Sequence, residues 1–233
     1  MNKRLQRLGL GLVFIGIVFF AAGGYTLYKT QQGASALQAF SAAQNVRLTY
    51  NDQGQLADRK GDTTEATAIM SLLVNDWGFT VDQNELNPND PLVNTASEYM
   101  YQMATITYHT ITRPQTVVLP EDVTADSGKV FKAGSYDFNP NGKYWTGYDR
   151  SNPIEAIARD QAWSGTAHGL IAELGVGTVT HSALQLGLAI AAILGGIGGT
   201  IILAGLGLIW AARAKKEQFA GTVTTPTAEP VAV

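Results

Sequence analysis

Two long apolar segments without a charged side chain constrain this chain more than any other feature. Residues 8–28 read LGLGLVFIGIVFFAAGGYTLY, and residues 182–212 read SALQLGLAIAAILGGIGGTIILAGLGLIWAA. At about 1.5 Å of rise per residue, a helix over 8–28 covers roughly 31 Å, which matches the hydrocarbon core of a bilayer. The sequence therefore predicts two transmembrane helices, and the second is long enough to tilt or protrude.

The distribution of charge predicts how these helices are oriented. The net charge is −3, yet residues 30–181 carry 17 acidic and 9 basic side chains, while basic residues cluster at both ends. By the positive-inside rule, residues 1–7 and 213–233 are cytoplasmic, and the segment between the spans lies outside the plasma membrane. The clustered basic residues are Lys3, Arg4, Arg7, Arg213, Lys215 and Lys216. The predicted spans make the bilayer an expected partner. Nucleic acid is not expected as a partner, because the chain has no excess of basic residues.

A cleaved signal peptide is an alternative interpretation of the first apolar segment. It has a basic start, and the small residues Ala21, Ala22 and Gly23 resemble a cleavage site. The apolar run continues to Leu27, which favours a retained anchor.

Residues 29–181 are expected to form one exported domain of mixed α+β structure. A polar helix is predicted over 31–45, a strand over Val46–Tyr50, and a second short strand after the turn at 51–54. Asp62 and Glu65 have the spacing of a capping box, so a helix should follow and end at Gly78. The tail from residue 217 has the composition of a disordered segment.

A long helix is predicted to begin at Pro91, with Asp90 as its N-cap, and to end near Thr112. One polar face of this helix is interpreted as solvated or partner-facing. Glu98 and His109 on this face are 11 residues apart, roughly 16 Å along the axis, so they cannot bind one metal ion. The face comprises Glu98, Gln102, Thr105 and His109.

A small antiparallel β-meander is expected after this helix. Its four predicted strands are 116–119, 129–132, 135–138 and 143–148. Asn152 and Pro153 then begin a helix in which Glu155 and Arg159 have the spacing of an ion pair. A further helical piece over 166–174 should lead into the second span. The fold class is therefore α+β, with two transmembrane helices flanking the exported domain.

The sequence contains no recognisable catalytic constellation. There are no cysteines and only three histidines. Ser164 and His168 are four residues apart and could touch on a helix, but no acidic residue stands at a recognisable spacing and the GxSxG motif is absent. No catalytic residue, metal ligand or cofactor is therefore predicted.

Small residues recur within both apolar segments at helical spacing. Such rows let two helix backbones approach closely in lipid. The rows on the two spans of this chain could pack against each other, or they could bind another membrane protein or a second copy of this chain. The predicted packing residues are Gly9, Gly16, Gly23, Gly187, Ala191, Gly195 and Gly199, with a neighbouring row of Ala192, Gly196, Thr200 and Ala204.

Three segments resemble a family of two-span envelope proteins of high-GC Gram-positive bacteria. They are MNKRLQRLGLGLVFIGIVFFAAGGY, LNPNDPLVNTASEYMYQMATITYHT and RDQAWSGTAHGLIAELGVGTVTHSALQLGLA. Members are often labelled "aromatic ring-opening dioxygenase LigA". Extradiol ring cleavage needs a ferrous site of two histidines and a carboxylate, and no such motif is present. The resemblance implies a membrane location and an actinobacterial source, and no catalytic residue is transferred.

Three functions are consistent with these features. The favoured hypothesis is a non-enzymatic accessory or scaffold subunit of the cell envelope. A membrane-surface enzyme is an alternative, either a hydrolase using Ser164 and His168 or, by the family label alone, a dioxygenase. A component of an oligomeric channel or transporter is the third, although neither span has an ionisable side chain.

Overall fold

A computed structural model describes residues 2–220, and it describes the side chains of 3–59 and 61–213. The residues 221–233, within the predicted disordered tail, lie outside this range. The fold is helix-rich, with five α-helices and three small two-stranded antiparallel sheets in the described range. The chain divides into two units, one made of the described parts of 1–33 and 184–233, and the other of 34–183.

The first unit is built from two long apolar helices. Helix α1 is Asn2–Gln44 and helix α5 is Gly165–Ala220. Both are long and apolar enough to cross a membrane, by length and composition. Only 17% and 11% of their most apolar stretches are buried in the described structure, whereas a core helix of a soluble protein would be mostly buried. These helices therefore turn most of their apolar surface outward.

The two helices pack antiparallel along a seven-residue repeat of small side chains. A Cβ atom on Gly9 would lie 2.7 Å from the Gly205 carbonyl oxygen, and one on Gly16 would lie 2.8 Å from that of Gly198. The backbones are therefore in direct contact, which a seven-residue repeat allows. The buried positions are Gly9, Gly16, Gly23 and Thr30 on α1, and Ala191, Gly198, Gly205 and Ala212 on α5.

The second unit begins with the last part of α1, which is the helix predicted over 31–45. Strands β1 (Thr49–Tyr50) and β2 (Leu56–Ala57) then form a hairpin. A 3₁₀ turn (Arg59–Gly61) leads to helix α2 (Thr63–Ser71), which a π-helical turn (Leu72–Asp76) extends. Asp62 caps α2 by accepting hydrogen bonds from the amides of residues 64 and 65, so the predicted N-cap is confirmed.

Helix α3 (Ala96–Thr112) begins five residues later than the sequence predicts. The predicted N-cap, Asp90, instead closes a tight turn with Asn87. Residues 91–93 are held extended beside residues 46–48, because Leu48 N donates to Pro91 O at 2.8 Å and Val93 N donates to Val46 O at 2.9 Å. The helix therefore begins after Thr95, which forms a capping box with Glu98. The prediction of a start at Pro91 was wrong.

Three of the four predicted strands are present and pair antiparallel, but the predicted fourth strand and the meander order were wrong. Strands β3 (Gln115–Leu119) and β6 (Gly134–Phe138) pair with each other, and β4 (Val123–Thr124) pairs with β5 (Val130–Phe131) between them. The segment predicted as the fourth strand contains a 3₁₀ turn instead, Trp145–Gly147. Gly142 N donates to Ile111 O, so the turn at 141–142 directs the chain to α3 and not to a neighbouring strand.

Helix α4 (Pro153–Ala162) covers one face of the β3–β6 pair, where Val117, Leu119 and Ala158 form a small buried core. Asn152 caps the helix as predicted. The predicted pair of Glu155 with Arg159 was wrong. Glu155 is buried and pairs with Lys143, and Arg159 pairs with Asp160 and stacks on the Trp145 ring.

The segment predicted as a separate helix over 166–174 is the first part of α5. The glycines that follow do not interrupt the helix. A Cβ on Gly177 would lie 2.6 Å from the Tyr99 ring, so Gly177 permits α5 to pack directly against α3 within the second unit.

Candidate functional site

An apolar cavity of about 430 Å³ lies within the second unit. Its walls come from the end of α1, the extended residues Val46 and Val93, the middle of α3 and the first part of α5. This volume is in the usual range for sites that bind small molecules. The apolar lining residues are Leu37, Phe40, Val46, Val93, Tyr99, Ile106, Leu170, Leu174 and Val176.

The polar groups of this cavity are few and lie among the apolar walls. The Ser41 and Tyr99 hydroxyls, both buried, share a hydrogen bond of 2.6 Å that joins α1 to α3. The Ser41 hydroxyl also donates to Leu37 O. The other polar lining residues are Gln44, Gln102, Glu173 and Thr180. The cavity is therefore suited to a ligand that is mainly hydrocarbon.

Large apolar side chains beside the cavity are exposed. Phe40 on α1 and Leu170 and Val176 on α5 line the cavity, and each leaves more than two fifths of its surface accessible. A soluble domain seldom exposes neighbouring large apolar side chains of this kind without a partner. The cavity therefore has a hydrocarbon lining and a hydrocarbon rim.

A second feature of the same unit is a cluster of Asp58, Glu65 and His109. Asp58 precedes the 3₁₀ turn, Glu65 is in the first turn of α2, and His109 is in the last turn of α3. One ligand atom from each residue lies within 4.8 Å of the other two. The Arg113 guanidinium lies 4.0 Å from both carboxylates.

The electrostatics of this cluster follow from burial and close contact. Burial opposes ionisation of Asp58, but hydrogen bonds with Glu65 and His109 outweigh it, so the pKa of Asp58 is below its usual value. The hydrogen bond with Asp58, and then burial, raise the pKa of Glu65. Burial lowers the pKa of His109 against the pull of Asp58.

A polar cavity of about 230 Å³ adjoins the cluster. Asp58, His109 and Tyr101 line it, and so do Arg47 and Arg59. The Tyr101 hydroxyl is buried and has no hydrogen-bond partner among the described residues. Burial and the Asp58 charge raise the pKa of Tyr101.

The four residues predicted as one polar face have different environments. Glu98 is 2% exposed, so it does not lie on a solvated face; its carboxylate accepts from the amides of Asn94 and Thr95. His109 belongs to the cluster with Asp58, and Thr105 donates back to Tyr101 O. Gln102 lines both cavities. The face is therefore mainly internal to the domain.

Most of the predicted helix-packing residues contact the other apolar helix, and Gly199 does not. Gly9, Gly16 and Gly23 lie against α5. On α5, Gly187 faces Thr30, and the Ala191 and Gly195 backbones face Gly23. A Cβ on Gly199 would meet nothing within 4 Å in the described part of the chain.

Ser164 and His168 do not form a catalytic pair. The Ser164 hydroxyl accepts from Ala167 N, and the His168 ring contacts the Ser164 backbone oxygen and not its hydroxyl. The His168 ring also packs at 5.1 Å from Trp145 and 5.5 Å from Trp163, measured between ring centroids. Both residues make hydrogen bonds within the first turn of α5.

Sequence reasoning missed Asp58 and Glu65 as partners of His109. Asp58 is 51 residues from His109 along the chain, and no short motif links them.

Comparison of the chain with protein-family models, with curated proteins and with solved structures found no match.

Proposed function

We propose that this protein is an integral membrane protein of the bacterial cell envelope that acts without enzymatic activity, and that its domain of residues 34–183 binds the acyl chain of a lipid. Both termini are in the cytoplasm, and the domain is outside. The two outward-facing apolar helices and the charge distribution support this arrangement. On this proposal, the role of the protein as an accessory subunit is to bind a lipid or another long-chain amphiphile.

The observation that carries the proposal is the apolar cavity of about 430 Å³ with its exposed apolar rim. Water is a poor occupant of such a space because the lining offers few polar partners. An acyl chain removes both the lining and the rim from water, and burial of apolar surface contributes about 25 cal/mol per Å². The cavity walls on α1 and α5 are continuous in sequence with the two apolar segments.

Native mass spectrometry of the full chain, extracted from its own membranes in mild detergent, tests the acyl-chain proposal. One retained lipid per chain is expected. Leu170→Trp places an indole in the cavity and should abolish the adduct. Val179→Trp is a matched control, because Val179 is on the same helix, is exposed and does not line the cavity. Equal lipid retention by both variants would contradict the proposal.

Membrane orientation is tested separately by thiol labelling of intact cells. The chain has no cysteine, so single substitutions report one position each. Ser127→Cys, in the exposed turn between β4 and β5, should react with an impermeant maleimide, while Lys3→Cys should react only after lysis. The reverse pattern would refute the proposed orientation.

A second candidate function is docking of another membrane-spanning helix. The row of Ala192, Gly196, Thr200 and Ala204 is exposed on α5 and is not used in packing against α1. Replacing Gly196 by Leu should disrupt a complex seen on native gels if this row is its interface, and an unchanged complex would remove this candidate.

A further inference from the structure

The cluster of Asp58, Glu65 and His109 combines three metal-binding side chains from three separate parts of the chain. Their ligand atoms lie within 4.8 Å of one another. Donor atoms held at about 2.0–2.2 Å from one tetrahedral ion are roughly 3.3–3.6 Å apart. A shift of up to roughly 1.5 Å in the most widely separated pair therefore brings the three groups onto one ion. Glu65 is 38% exposed, so its side chain has room for this shift.

The donor chemistry identifies the class of ion. One imidazole nitrogen and two carboxylate oxygens suit zinc and neighbouring divalent transition metals, whereas calcium and magnesium favour all-oxygen sites. With three protein ligands, such a site leaves at least one coordination position for water or another molecule. The adjoining polar cavity of about 230 Å³ is where that position would be reached from solvent.

A buried polar atom beside the cluster, the Tyr101 hydroxyl, is an independent indication of a ligand. Asp58 is 7% exposed. His109 Nε2 makes its hydrogen bond to Asp58 Oδ1 at 3.1 Å. It also lies 3.0 Å from Oδ2. The Tyr101 hydroxyl, which lines the same cavity, is buried and has no hydrogen-bond partner in the described structure.

We propose that Asp58, Glu65 and His109 form a binding site for one divalent transition-metal ion of the zinc class. The ion would displace Arg113, which lies 4.0 Å from both carboxylates and is partly exposed. Arg113 is therefore a competitor for the same negative charge. This inference does not depend on the acyl-chain proposal, because the site and the apolar cavity have different ligands.

Metal titration of the full chain in detergent tests the proposal. After chelator treatment and dialysis, Zn²⁺ binding is measured by calorimetry, and Co²⁺ is used as a substitute whose visible absorption reports its ligands. One equivalent is expected to bind. Glu65→Gln should weaken binding at least tenfold, and His109→Asn should abolish the cobalt absorption of an imidazole-bound ion. Arg113→Gln should tighten binding, because it removes the competing charge.

Glu121→Gln is the matched control, since Glu121 is an exposed carboxylate outside the cluster, and it should bind metal like the unaltered chain. Circular dichroism of each variant establishes that the fold is retained, and Glu65→Gln keeps the test valid if His109→Asn does not fold. The proposal is overturned if the unaltered chain binds no zinc at micromolar concentrations. It is equally overturned if Glu65→Gln and Glu121→Gln bind alike, or if Arg113→Gln lowers thermal stability without tightening metal binding, as expected of a purely structural ion pair.

Discussion

Replacing Gly16 by alanine tests whether the two apolar helices pack through their backbones. The added Cβ would lie 2.8 Å from both the Gly198 carbonyl oxygen and the Ile202 amide nitrogen. Ordinary van der Waals contact begins at 3.4 Å, so the backbones must separate by about 0.6 Å. A gap of this size forfeits roughly a quarter to a half of the dispersion energy of the atoms that move apart.

The expected cost of Gly16→Ala is about 1–3 kcal/mol, as for other overpacked sites. For a chain of this length, that corresponds to a melting temperature roughly 2–12 °C lower. The assay is thermal unfolding of the full protein in a mild detergent.

Gly24→Ala is the matched control for this substitution. A Cβ on Gly24 meets nothing within 4 Å among the residues that the structure describes. It should leave the melting temperature unchanged or raise it slightly, since alanine favours helix over glycine. Equal shifts for the two variants, or stabilisation by Gly16→Ala, would refute the close packing of the helices.

Three further substitutions test the domain of residues 34–183. Tyr99→Phe removes the 2.6 Å hydrogen bond to Ser41 and should lower the unfolding free energy by about 0.5–1.5 kcal/mol; an unchanged denaturation midpoint would contradict it. Asn152→Ala removes the cap of α4 and should cost about 0.5–2 kcal/mol in the same assay; a neutral effect would contradict the observed capping. Burial raises the pKa of Glu98, so its ionisation destabilises the fold as pH rises from the usual glutamate pKa through the raised one. The melting temperature of Glu98→Gln relative to the unaltered protein should therefore rise between pH 4 and pH 7, and a relative fall would contradict this sign.

Local signals in the sequence predict many of the helix boundaries. Asp62 and Asn152 are N-caps in the structure as predicted, because capping depends on residues within one turn. Pro114 follows the end of α3 at Thr112, also as predicted.

Long-range contacts account for the boundaries that the sequence does not predict. Asp90 and Pro91 have the local pattern of a helix start, but hydrogen bonds from Leu48 and Val93 hold this segment extended. Glu155 has the spacing to pair with a residue on its own helix, yet it pairs with Lys143, which is 12 residues earlier in the chain. A local pattern cannot reveal these competing partners, because they are more than ten residues away along the chain.

The residues of the two candidate sites differ from the predicted ones for the same reason, because each site combines residues that are distant along the chain. The predicted polar face includes His109 and Gln102, which line the cavities, but not Asp58 or Glu65. An apolar cavity has no motif, since its lining residues look like ordinary core residues in sequence.

Photolabelling with a lipid tests the central claim most directly. The full chain is placed in nanodiscs that contain a phospholipid with a photoreactive group in its acyl chain, and the crosslinked peptides are mapped by mass spectrometry. The proposal predicts label on residues 37–46, 93–106 and 170–180, in addition to the two apolar segments. The domain label should be lost in Leu170→Trp and kept in Val179→Trp. Label confined to the two apolar segments, 8–28 and 182–212, would contradict acyl-chain binding by the domain.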